Sequence, residues 1–442
     1  MQNRPTPTRK QSAVQIRWGL NAQSGGDVVW DSDTVVNPHI AAFADSGMGK
    51  TTMLRKIAQA MQETGGRRLR IHVFDAHGDV EIPGESAVRF HESADFGFNP
   101  LELNPDPEFG GVRKRIQSLI AAINRTSVRL GPRQERALTK LLTGLYRRHG
   151  FVADDASTWA VDVAAGKRYP TLPDAIEYGR ERLKEMYVGS DERAVQAFQE
   201  VERVARQMRA KEVALARLGN DETLTKLQRE LDNAKEKAID AFREAVLSVH
   251  TGDELDRAIE SDGQEETIKS VLDRLENLYA IGIYRSTPPP LDPRCRVWRY
   301  IITSLSPDEK KLFTITRLET IFSRAVQRGP QSDIVDVCMI DEAHLYQDKD
   351  EDYIINKMVR EGRKFGVSMI FASQALTDFA DVLISSLGTK LILGIDRNYW
   401  RAAIGKFGVP EAALKFIVPH RRIVVQMKRK GELNAGAYWV AL

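Results

Sequence analysis

Short, largely apolar runs punctuate this chain, and stretches with a helical rhythm separate them. The runs HIAAFA (39–44), LRIHVFD (69–75), VWRYIIT (297–303), IVDVCMID (334–341), VSMIFAS (367–373) and KLILGI (390–395) lack in-out alternation. A strand covered on both faces has no reason to alternate, so each reads as a buried strand of a parallel sheet. RRIVVQM (421–427) and AYWVA (437–441) add two further strands near the C-terminus. TTMLRKIAQAMQE (51–63) and LFTITRLETIFSRAV (312–326) carry apolar positions three and four apart, the spacing of an amphipathic helix. Strand and helix in alternation predict an α/β fold with a mainly parallel central sheet flanked by helices.

The middle of the chain changes character. From about 185 to 250 it has no strand pattern and no proline, and its charge density is high. Val195, Phe198, Val201, Val204, Met208, Leu215 and Leu218 form one apolar stripe. Leu224, Leu227, Leu231, Ala234, Ala238, Ala241 and Ala245 form a second, in alternating steps of three and four. GNDET (219–223) separates them, with a glycine to end one helix and an aspartate to cap the next. An antiparallel helical hairpin is expected, either a solvated structural insertion or an arm that contacts a partner. Four regions follow: a basic, disordered tail over 1–12, a first part of the α/β core over 13–110, a mainly helical insertion over 111–290, and a second part of the core over 291–442.

Composition narrows the setting. The chain has 442 residues, 28% of them charged, yet its net charge is only +3, so any nucleic-acid binding must come from a local basic patch. Cys295 and Cys338 are far apart and have no Cys or His neighbour at ligand spacing, which predicts neither a disulfide framework nor a zinc site. The N-terminus has no apolar segment behind its basic residues, and no run reaches the ~18 apolar residues of a membrane span. A cytoplasmic protein is expected.

The chemistry begins at FADSGMGKTT (43–52), where a strand runs into a glycine loop and then into a helix. That order is the context a phosphate-binding loop requires. Ala44 stands where the first glycine of G-x-x-x-x-G-K-[ST] belongs, but this position ends the strand and an alanine fits there. Asp45, Ser46, Gly47, Met48, Gly49, Lys50, Thr51 and Thr52 form the expected ATP-binding segment. Loop N–H groups and the helix end would hold the phosphates, Lys50 would reach the β- and γ-phosphates, and Thr51 would ligate Mg²⁺.

VDVCMIDEAHLY (335–346) supplies what a lone loop cannot. An apolar strand ending in two carboxylates predicts Asp341 beside Mg²⁺ and Glu342 as the base that polarises water. The next strand ends in Ser373-Gln374, so the Gln374 amide could sense the γ-phosphate. VREGRKFG (359–366) offers Arg363, with Arg360 in reserve, as an arginine finger for a neighbouring subunit.

GMGKTT, VFDAHGD (73–79), FNPLEL (98–103), MIDEAHLY, REGRKFGVSMIFASQ and LGTKLILGI (387–395), taken in this order, resemble the HerA/FtsK superfamily of P-loop motors, related to the ATPases of type IV secretion and conjugation. The resemblance runs from about residue 38 to 430. It implies a RecA-like ASCE core interrupted by an all-α insertion, ATP and Mg²⁺ between the subunits of a ring, usually a hexamer, and DNA through the pore. It also implies that the REGRK arginine acts in trans, and it puts Asp75 and Asp79 near the nucleotide. DEAH-box helicases share the four letters of residues 341–344, but the following strand here ends FASQ and not Ser-Ala-Thr. About forty residues precede the loop, room for a strand pair from VQIRWG and DVVW and not for the small β-barrel common in the HerA branch.

Between Val112 and Arg148 ten basic residues face one acid, Glu135. Arg113, Lys114, Arg115, Arg129 and Arg133 are the candidates for sequence-independent DNA contact; a merely solvated basic face is the alternative. The leading expectation is a ring-forming ATPase that translocates double-stranded DNA without strong sequence preference. The alternatives are an ATPase serving a secretion or conjugation machine, and a partner-regulated ATPase working with a nuclease.

Overall fold

The computed structural model describes residues 13–108, 110–126, 128–162, 164–188, 201, 203–206, 229–240, 264–346, 353–374, 379 and 381–442. Eleven strands form one sheet: β1 (Gln15–Asn21), β2 (Asp27–Asp31), β3 (Ile40–Ala44), β4 (Arg70–Asp75), β5 (Glu85–Arg89), β6 (Val297–Ile301), β7 (Asp336–Ile340), β8 (Val367–Ser373), β9 (Thr389–Gly394), β10 (Arg422–Met427) and β11 (Gly436–Ala441). Their order is β2-β1-β11-β10-β9-β3-β8-β7-β4-β6-β5. From β9 to β5 every pairing is parallel, and from β9 out to β2 every pairing is antiparallel. Every residue of β3 and β8 is buried, which is why their sequences show no alternation.

The chain divides into two units. The first comprises Met1–Arg129, Phe151–Tyr169 and Tyr279–Leu442 and holds the sheet. Its first helix, α1 (Lys50–Thr64), buries Leu54, Ile57, Ala58 and Met61 in a core shared with Val73, Met339 and Ile370 of the sheet. Helix α2 (Val112–Thr126) also belongs here: Arg115 lies 4.0 Å from Glu319, and Ser118 donates to the same carboxylate.

In the second unit, Leu130–Gly150 with Pro170–Leu278, lie α3 (Pro132–Arg148), α4 (Leu172–Val188) and most of α5 (Gln264–Ala280). A Cβ at Gly179 would come within 2.9 Å of both Leu141 and Leu272, so the three helices meet closely at this glycine. The expected tail over 1–12 lies outside the described residues, as does most of the expected hairpin over 185–250. Of its two stripes, Val204, Leu231, Ala234 and Ala238 are described and buried.

Returning to the first unit, α6 (Pro307–Arg328) begins with a reciprocal cap between Ser306 and Glu309. Its Phe313 anchors an aromatic cluster, 4.6 Å from the Phe90 ring and 5.9 Å from Tyr300. Shorter helices complete the unit: α7 (Ile354–Glu361), α8 (Asp381–Ser386), α9 (Trp400–Phe407) and α10 (Glu411–Phe416). Strands β1 and β2, the expected N-terminal pair, extend the sheet through β11. No helix among the described residues is long and apolar enough to cross a membrane.

Candidate nucleotide site

Strand β3 stops at Ala44, which is fully buried and paired with Gly394 of β9. The position of the missing glycine is therefore a strand position, with no turn for a glycine to make. The turn follows, at Gly47 (φ 76°) and Gly49 (φ 92°), both in the left-handed region that a Cβ disfavours. Gly49 is the N-cap of α1, and no side chain caps the helix. Its first N–H groups are left facing the loop, with the helix dipole behind them.

Because β8 lies between β3 and β7, the loop and the acidic strand end meet at one edge of the sheet. Asp341 and Glu342 follow β7 and are only 1% and 3% exposed. The Lys50 ammonium contacts the Glu342 carboxylate and lies 4.0 Å from Asp341 Oδ1. Gln374 donates from Nε2 to both Glu342 oxygens at 3.2 and 3.4 Å. His344 Nδ1 is 3.1 Å from Glu342, and His77 Nε2 is 3.5 Å away. Glu342 itself sits at φ 53°, a backbone conformation a glutamate rarely adopts.

The two neighbouring carboxylates are tuned apart. Burial pushes Asp341 up from 3.8 to about 6, with the Lys50 charge pulling the other way. Burial also raises Glu342, but there the Lys50 bond and charge and the Gln374 bond prevail, and its value ends below the usual range. Asp341 Oδ1 is buried without a hydrogen-bond partner. Thr51 donates to Asp79 at 3.1 Å, and carboxylate oxygens of Asp75, Asp79 and Asp341 lie within 4.8 Å of one another.

Asp75 has a second task. It is fully buried, accepts from the backbone N–H groups of His77, Gly78 and Val80, and pairs with Arg299 at 3.0 Å. Glu85 shares the same guanidinium at 2.6 Å. The segment carrying His77 and Asp79 is thus tied down by one carboxylate.

The remaining sequence candidates lie elsewhere. Arg363 donates to the Val36 carbonyl, which precedes β3, so it sits at the opposite end of that strand from the glycine loop. Arg360 and Arg363 line an open cavity of about 840 Å³ there, together with Asn37, Asp333 and Phe365. Arg113 pairs with Asp154 at 2.5 Å, both 71% exposed, and Lys114 donates to the Glu108 carbonyl. Arg115 is mostly covered beside Glu319, whereas Arg129 and Arg133 are exposed. Three histidines went unread in the sequence, His77 among them, although it lies within the quoted VFDAHGD. His344 directly follows the acidic pair and could have been weighed with it. His420 is a lone residue in VPHRR, and nothing local marks it.

Residues 18–106 match the family model described as "Helicase HerA, central domain". No curated protein sequence matches the chain significantly. Among solved structures, VirB4 of Thermoanaerobacter pseudethanolicus is similar at TM-score 0.61 and 14% identity, covering 97% of this chain and 96% of that one. The plasmid coupling protein TrwB, solved with the non-hydrolysable GTP analogue GDPNP, is similar at TM-score 0.50 and 11% identity, covering 92% and 85%. At these identities the likeness is one of fold, and that fold is RecA-like with a mostly parallel sheet. The family-model match and the fold both fit the resemblance to the HerA/FtsK superfamily read from the sequence.

Proposed function

We propose that this chain hydrolyses ATP and uses the energy to move DNA. One observation carries the reading: a buried carboxylate, Glu342, is held by Lys50 and Gln374 beside a loop built to take phosphate. Lys50 pairs with Glu342. A γ-phosphate drawing the ammonium away would free Glu342 to accept a proton from water, with Gln374 orienting the reacting groups. The oxygen-only set of Thr51, Asp79 and the unpartnered Asp341 Oδ1 suits Mg²⁺. When bound there, Mg²⁺ would supply positive charge to offset that of the terminal phosphates.

Arg363 lies too far along β3 to serve its own loop, which supports a role in a neighbouring subunit of a ring, with Arg360 as the reserve. The HerA family model supports DNA as the moved substrate. Of the basic residues, the exposed Arg129 and Arg133 now carry more of that proposal than Arg113 and Arg115, which sit beside acids; Lys114 stays a candidate. A second reading keeps this chemistry and places it in a secretion or conjugation machine; the fold likeness to a plasmid coupling protein favours it.

Phosphate release with and without long duplex DNA at low salt separates the two. Stimulation of tenfold or more, lost in Lys50→Ala and Glu342→Gln, supports translocation. Turnover that ignores DNA and responds to a protein partner supports the second reading. Sizing the protein with ATP and DNA tests the ring.

A further inference from the structure

Among the described residues only two non-glycine positions have a left-handed backbone, Glu342 and His420, the latter at φ 62°. A residue with a Cβ is disfavoured there, so its surroundings must hold it in place. Both positions adjoin the glycine loop. His420 belongs to a tight reversal between α10 and β10, closed by backbone hydrogen bonds between Val418 and Arg422 of 2.9 and 3.0 Å. β10 runs antiparallel to β9, and β9 parallel to β3, so this reversal lies at the edge where β3 ends.

The imidazole meets the loop at two points. Its Nε2 is 3.1 Å from the Gly47 carbonyl oxygen, and since a carbonyl only accepts, Nε2 carries the proton and donates. A Cβ at Gly49 would meet the ring at 3.1 Å, so the ring lies directly against the backbone of the second glycine. The N–H on the other side of the same peptide, that of Met48, donates to the Asp45 carbonyl at 3.1 Å. The peptide joining Gly47 to Met48 is therefore held at both polar ends. It follows Gly47, a residue whose backbone would otherwise rotate with little resistance.

We propose that His420 is a positioning residue of the phosphate loop, a clamp that fixes the Gly47–Met48 peptide so that the loop amides and Lys50 are presented together to a polyphosphate. The proposal rests on the reading of this loop as a nucleoside-triphosphate site. It predicts an effect on phosphate binding that does not depend on the base or the sugar.

The test is calorimetric titration of the full chain with MgATP and, separately, with inorganic tripolyphosphate. His420→Gly removes the ring and relieves the left-handed backbone, so its melting temperature should equal or exceed that of the parent. Its affinity for both probes should nevertheless fall by the same factor, about fivefold, the scale of one neutral hydrogen bond. In turnover assays KM should rise with kcat nearly unchanged. His420→Asn tolerates the left-handed backbone and keeps an N–H donor, so it should recover part of the loss. Unchanged affinity in His420→Gly would overturn the clamp. So would a loss confined to ATP, because His420 would then be touching the nucleoside. If the parent protein binds neither probe, the nucleotide reading fails, and the clamp fails with it.

Discussion

Replacing Asp341 by asparagine should flatten part of the pH dependence of stability in the nucleotide-free protein. The wild-type carboxyl is 1% exposed, and burial raises it to about 6, whereas in the unfolded chain it ionises at its ordinary 3.8. The folded state thus holds this proton more tightly than the unfolded state, and stability falls as pH rises from the lower value to the higher. At about 1.4 kcal/mol per pKa unit, linkage puts the cost of the buried charge at roughly 2 kcal/mol at pH 5 and roughly 3 kcal/mol at pH 7.5. Asparagine cannot ionise. Any fixed cost of burying its amide is the same at both pH values and cancels in the comparison. Urea denaturation of the two proteins in EDTA at pH 5 and pH 7.5 gives four unfolding free energies. The advantage of the variant over wild type should grow by roughly 1 kcal/mol between them. A constant difference would mean that Asp341 ionises like a surface carboxylate, and the argument from its burial would be refuted.

Four further outcomes follow from named contacts. Glu342→Gln should retain MgATP binding yet lose about 10²–10⁴-fold in turnover, read as phosphate release, because a neutral amide cannot take the proton from water. Mixing Glu342→Gln with Arg363→Ala subunits should recover activity if the arginine works across a subunit boundary; a mixture no better than either parent would count against it. Asp75→Asn leaves Arg299 with Glu85 and the more distant Glu81 and sets an amide against three backbone donors, so it should cost about 3–5 kcal/mol in urea unfolding. Arg113→Ala breaks an ion pair exposed on both sides and should change stability by less than about 1 kcal/mol, as judged by thermal melting.

The periodic parts of this protein are legible in its sequence because burial acts locally. Strands β3, β4, β6, β7, β8 and β9 are largely apolar runs because both of their faces are covered, and α1 keeps its rhythm because one face is. β5 escaped that reading: in Glu85–Arg89 only Val88 is buried, so the segment carries no apolar run. The glycine loop and the acidic pair were readable as separate motifs, since each packs its chemistry into a few consecutive residues.

Strand order is a different kind of information. That β3 neighbours β8 and not β4 is decided by how crossovers pack, and it alone brings Lys50 to Glu342 across nearly three hundred residues. The same order puts Arg363 at the far end of β3. It also sets His420, from the last part of the chain, against the loop where the chemistry starts. Sequence by itself determined the α/β class, the phosphate loop and the carboxylate pair, because these follow from local periodicity and spacing. Only the tertiary structure decided which distant groups meet them, how far burial separates the two carboxylates, and which histidine lies on the loop, because those depend on the environment that long-range packing creates.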